Sequence, residues 1–137
     1  MEYVTFEIAK KLKEKGFNEP CYAFYTEQGS LQWNNIDTYY RPNQEISLED
    51  LTQTYNNGNS ICSPDAPTIS QVLKWLREEK KLIVEPSLFK AGYEAFVQST
   101  IFEDDKDYTD AWRIKGFYTT YEQAALAGIE YVLDNLI

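Results

Sequence analysis

The sequence predicts an α+β fold, an antiparallel three-stranded sheet with helices on one face, in the order αβββα over residues 68–137. A helix and a short β-hairpin precede it. Three observations carry this prediction. Ile69, Val72, Leu73 and Leu76 recur at i, i+3, i+4 and i+7 behind the capping signal Thr68/Gln71. Three runs of strand formers follow, separated by turn residues. A second capping signal, Thr120/Gln123, then opens a stripe of Ala125, Ile129, Val132, Leu133 and Leu136.

Taken in order, the first element is an amphipathic helix. Thr5 suits its N-cap, and Glu7 in the first turn complements the helix dipole. Ile8, Ala9 and Leu12 form its apolar face. Gly16 suits the left-handed position after the last turn, with Phe17 folding back on Leu12 as in a Schellman motif. Lys10, Lys11, Lys13 and Lys15 are read as a solvated face. After Pro20, Cys21 to Tyr25 is an extended run. Thr26 to Ser30 supplies a turn and Leu31 to Trp33 returns, which makes a hairpin.

Residues 34–67 are dominated by turn chemistry (Asn34-Asn35, Pro42-Asn43, Asn56-Asn57-Gly58, Ser63-Pro64) and read as a long loop. One short helix fits inside it, with Ser47 as N-cap ahead of Leu51. Beyond Thr68 the helix widens with Trp75 and ends near Lys80-Lys81. Leu82 to Glu85 reads as a strand halted by Pro86. Tyr93 to Ile101 reads as a second strand, and Trp112 to Tyr118 as a third. In the last helix, Gly128 costs about 1 kcal/mol relative to alanine, which close packing of helix on sheet would offset. The expected organisation is therefore residues 1–67 and 68–137, packed as one compact domain.

Composition narrows the chemistry. The chain has 137 residues, 22 acids against 13 bases, and a net charge of −9. It has no histidine, so no His-based triad, histidine metal ligand or imidazole switch can form. Cys21 and Cys62 are distant in sequence and lie outside any CxxC; they are read as thiols, with no zinc site. The acidity divides into −5 for residues 1–68 and −4 for residues 69–137, so neither half has a field that attracts nucleic acid. The start Met1-Glu2-Tyr3-Val4-Thr5 lacks a signal-peptide pattern, and no run suits a membrane span. A cytoplasmic protein is expected.

The αβββα order resembles the double-stranded RNA-binding domains, and its last strand and helix resemble small antitoxin folds of the same layout. Members that grip RNA carry a lysine cluster at the start of the last helix. Here Thr119-Thr120-Tyr121-Glu122-Gln123-Ala124 has no base, so direct nucleic-acid binding is not expected. A second resemblance spans the chain, through Leu12 to Cys21, Ala66-Pro67-Thr68, Gln71-Val72, Trp75 to Glu78 and Tyr121 to Leu126. These segments resemble small proteins from gut-bacterial genomes and their phages or mobile elements. That resemblance implies an intracellular accessory protein and brings no catalytic residues.

No catalytic, cofactor or metal site is legible. The run Glu103 to Asp110 has five carboxylates, but an EF-hand register from Asp105 places Asp110 where glycine is required and Gly116 where the bidentate glutamate belongs. Cys21 lies beside Glu19, which disfavours a thiolate. The six glycines are isolated and make no phosphate loop. Trp33, Tyr39, Tyr40 and Tyr55, which surround the long loop, are the expected partner-binding residues. Aromatics outside the periodic segments are typical of binding hot spots. The leading expectation is a non-enzymatic protein-interaction module. The alternatives are an acidic nucleic-acid mimic and a small hydrolase using paired carboxylates.

Overall fold

A computed structural model describes residues 2–33, 63–101 and 109–137. The expected short helix at Ser47 to Leu51 and most of the acidic turn lie outside them. The chain divides into two compact units, Tyr3–Thr68 and Ile69–Ile137, with Glu2 grouped with the second. Among the described residues there are three helices and two three-stranded antiparallel sheets, an α+β arrangement.

In the N-terminal unit, α1 (Phe6–Glu14) begins where Thr5 accepts a hydrogen bond from the Ile8 amide at 3.3 Å. It stops where Gly16 turns left-handed at φ +91°. The Phe17 amide donates to the Leu12 carbonyl at 3.0 Å and the Gly16 amide to that of Lys13 at 3.2 Å, the paired bonds of a Schellman motif. Phe17 is thereby buried with Val4, Ile8, Ala9 and Leu12.

Strands β1 (Ala23–Tyr25) and β2 (Leu31–Trp33) form the expected hairpin, closed by Thr26 and Ser30. A third strand, β3 (Asp65–Ala66), pairs with the other side of β1, where sequence reading placed only turn residues. The Tyr25 amide donates to the Pro64 carbonyl at 2.9 Å, and the Ser63 hydroxyl to the Tyr25 carbonyl at 2.7 Å. Pro64 and Pro67 bracket this edge strand, where a missing N–H is tolerated. The buried Tyr25 hydroxyl donates to the Val4 carbonyl, tying the sheet to the residues before α1.

In the C-terminal unit, α2 (Ile69–Glu79) buries Ile69, Val72, Trp75 and Leu76. Its first amide donates to the Glu2 carbonyl at 2.9 Å. Strands β4 (Leu82–Phe89), β5 (Gly92–Ser99) and β6 (Ala111–Tyr118) make a sheet in the order β4-β5-β6. Pro86 does not end β4, contrary to the sequence reading. It pairs with Ala95 inside an edge strand, where the missing amide hydrogen removes no ladder bond.

The last helix, α3 (Tyr121–Asn135), is capped by Thr120, which accepts from the Gln123 amide at 3.1 Å. The Gln123 side chain answers on the Thr119 amide at 3.2 Å, one residue earlier than in a standard capping box. Helix α3 crosses all three strands, and α2 packs against β4 and α3. Gly128 is what lets α3 approach. A Cβ at that position would lie 2.5 Å from Val84 Cγ1 and 3.5 Å from Ala95 Cβ. The packing expected to offset this glycine is therefore present.

Candidate interaction surface

Alternation along the strands separates two faces of the C-terminal sheet. Leu82, Val84 and Pro86 of β4 and Ala95 and Val97 of β5 are buried on the face beneath α3. The residues of opposite phase form the other face. Register gives its rows. Glu85 pairs with Phe96, and Phe96 with Arg113; Phe89 pairs with Gly92. Phe117 flanks Gly92 on the far side, since a Cβ on Gly92 would lie 3.8 Å from Phe117 Cβ. It would also lie only 2.7 Å from the Tyr118 carbonyl oxygen, so this position admits no side chain. The row thus reads phenylalanine, bare backbone, phenylalanine.

Between these two rows sits Glu94, 2% exposed although it lies on the face opposite α3. The rings of Phe89 and Phe96, two register positions to either side of it, converge to 6.4 Å. Its carboxylate is held at both oxygens by Arg113, Nε at 2.8 Å and Nη2 at 2.6 Å. A buried carboxylate in so short a bidentate pair is a fixed anchor. These hydrogen bonds, and then the carboxylate charge, hold the Arg113 guanidinium above its ordinary pKa. The Arg113 side chain is nevertheless 63% exposed. Two of the five N–H donors of a guanidinium serve Glu94, and three remain directed to the outside.

The surface around this anchor is apolar. Phe89 is 50% exposed and Phe117 55%. Leu88 and Tyr121 are exposed at the same end of the sheet but on the side of α3, where Tyr121 meets Tyr93 edge to face. Exposed Lys90 and Lys115 border it, and Glu85 is an exposed carboxylate without an ion pair among the described residues. Aromatic and apolar side chains on rigid strands, rimmed by charges of both signs, can bury area at low entropic cost on contact with another surface.

Of the residues singled out from sequence, Trp33 is described and Tyr39, Tyr40 and Tyr55 lie outside the described residues. Trp33 ends the edge strand β2 and is 60% exposed. Its indole N–H donates to the Tyr3 hydroxyl at 3.2 Å, and the two rings meet edge to face. The surface of Phe89, Phe96, Phe117 and Arg113 was missed. The available signal was phase: these residues alternate with the apolar set that faces α3.

Two of the groups that could carry chemistry, Cys21 and Glu94, can be placed. Cys21 is buried, its thiol donating to the Glu19 carbonyl at 3.4 Å. Burial first, and then the charges of Asp65 and Glu19, push its pKa up, so the reactive thiolate is disfavoured. The buried Glu94 faces a guanidinium, where an acid–base pair would set it against a second carboxylate. Among the described residues no three His, Cys, Asp or Glu side chains converge on a common point, and no helix is long and apolar enough to cross a membrane. No protein family, curated protein or solved structure matches the chain.

Proposed function

We propose that the protein is a non-enzymatic protein-interaction module and that the open face of its C-terminal sheet is a contact surface. One observation carries this reading: Phe89 and Phe117 stand half exposed on ordered strands, around an arginine fixed by a buried carboxylate. Burying the exposed half of each ring contributes roughly 1 kcal/mol, and a pre-positioned guanidinium adds directional recognition. The occupant is another polypeptide whose own surface combines apolar groups with charges of both signs, matching Glu85, Arg113 and Lys115. Trp33 supplies a further exposed aromatic in the N-terminal unit.

The test is affinity capture with the native chain and with a Phe89→Ser, Phe117→Ser variant, followed by reconstitution with the captured protein in purified form. The reading expects a direct complex whose Kd rises at least tenfold in the variant while far-UV circular dichroism is unchanged. Equal affinity for both chains contradicts it.

A further inference from the structure

The open sheet face is self-complementary, and we infer that its occupant is a second copy of this chain, bound face to face about a twofold axis parallel to β5. This rests on the reading of that face as a contact surface. In a face-to-face pair, such an axis exchanges the two sides of each row and keeps the row in place. Glu85, Phe96 and Arg113 form one row. The operation sets Glu85 of one copy over the partner's Arg113, Arg113 over the partner's Glu85, and Phe96 over its own equivalent. Both ion pairs are available, because Glu85 makes no ion pair among the described residues and Arg113 keeps three N–H donors beyond Glu94.

The second row obeys the same operation. Phe89 and Phe117 stand either side of Gly92, so each Phe89 meets the partner's Phe117 across two bare backbone notches. Apolar groups fall on apolar groups and opposite charges on opposite charges, from a single symmetry element. The alternative of adding β6 to β6 edge to edge is disfavoured. An antiparallel pairing centred on Ile114 sets Arg113 against the partner's Lys115, like charges directly opposite.

The size of the face fixes the strength. Three strands of 8 residues span about 26 by 14 Å at ~3.3 Å per residue and ~4.8 Å between strands. That footprint, about 360 Å² per copy, lies below the range of stable interfaces and among weak, transient ones, so the dimer is weak, with a Kd on the order of micromolar or above.

Sedimentation equilibrium on the full-length chain from about 1 to 300 μM tests this. The native chain is expected to rise from 16.0 kDa towards twice that mass. Glu85→Lys, which sets a cation opposite the partner's Arg113, and Phe117→Ser should each weaken association at least tenfold. Glu79→Lys, at an exposed position of α2, makes the same change in net charge and should leave association intact. A native chain that stays monomeric throughout overturns the second copy as occupant, as does an equal loss in Glu79→Lys and Glu85→Lys. Monomeric behaviour together with a direct complex with a different protein through Phe89 and Phe117 overturns this inference alone. The reading of the face as a contact surface then stands.

Discussion

Substituting Gly128 by alanine measures how closely α3 lies on the sheet. In an exposed helix interior the change stabilises by about 1 kcal/mol, because alanine has the higher helix propensity. Here the new methyl carbon falls 2.5 Å from Val84 Cγ1 and 3.5 Å from Ala95 Cβ. The first distance is far inside van der Waals contact, and a β-branched side chain in a strand has little freedom to rotate away. Overpacking of this kind costs about 1–3 kcal/mol. The net expectation is a loss of roughly 1 kcal/mol, read as a lower urea midpoint at unchanged m value.

Val84→Ala removes the atom that clashes. In that background Gly128→Ala should recover its propensity gain, so the double-mutant cycle shows a coupling of about 1–3 kcal/mol. If Gly128→Ala stabilises the native chain by about 1 kcal/mol and couples to Val84 by less than a few tenths, the helix–sheet contact described above is wrong.

Three further outcomes are expected. Arg113→Met leaves the Glu94 carboxylate 2% exposed without its cation, so the melting temperature falls; adding Glu94→Gln recovers part of the loss. Gly16→Ala should cost about 1 kcal/mol in urea denaturation. No atom lies within 4 Å of the added methyl, so the whole cost is the left-handed backbone at φ +91°. In a Cys62→Ser variant, a thiol reagent should modify Cys21 more than about a hundredfold more slowly in the folded than in the unfolded chain.

The pKa of Cys21, like that of Tyr25, is raised on folding, chiefly by burial. The stability each contributes is therefore complete below its unfolded pKa. For Cys21 it is lost as pH rises above about 8.5, with a limiting slope of about 1.4 kcal/mol per pH unit. Chemical denaturation between pH 7 and 10.5 measures it, and a stability that rises with pH would refute the assignment.

Local chemistry made most elements legible. Thr5, Gly16 and Phe17 delimit α1 through bonds made within a few residues of one another. Thr120 and Gln123 do the same for α3. What escaped depended on tertiary context. Strand β3 is two residues long and exists because the Tyr25 amide needs an acceptor, which the Pro64 carbonyl supplies. Pro86 looked like a strand end, because a proline's tolerance depends on whether its side of the strand is paired.

The candidate surface follows the same division. Trp33 was legible as an aromatic outside any periodic pattern, and it is exposed. Phe89, Phe96 and Phe117 read as ordinary strand formers. Only the register shows them sharing a face, and only the fold shows Glu94 buried among them with Arg113. Spacing alone cannot bring residues 94 and 113 together.

Photo-crosslinking from position 117 tests the central claim most directly. With benzoylphenylalanine in place of the exposed Phe117, brief irradiation in native-host extract should yield a discrete polypeptide adduct, and Phe89→Ser should reduce it at least tenfold. The same residue at exposed Glu79 on α2 should give no such adduct. If position 117 yields none either, or if Phe89→Ser leaves the adduct at full yield, the open sheet face is not a contact surface.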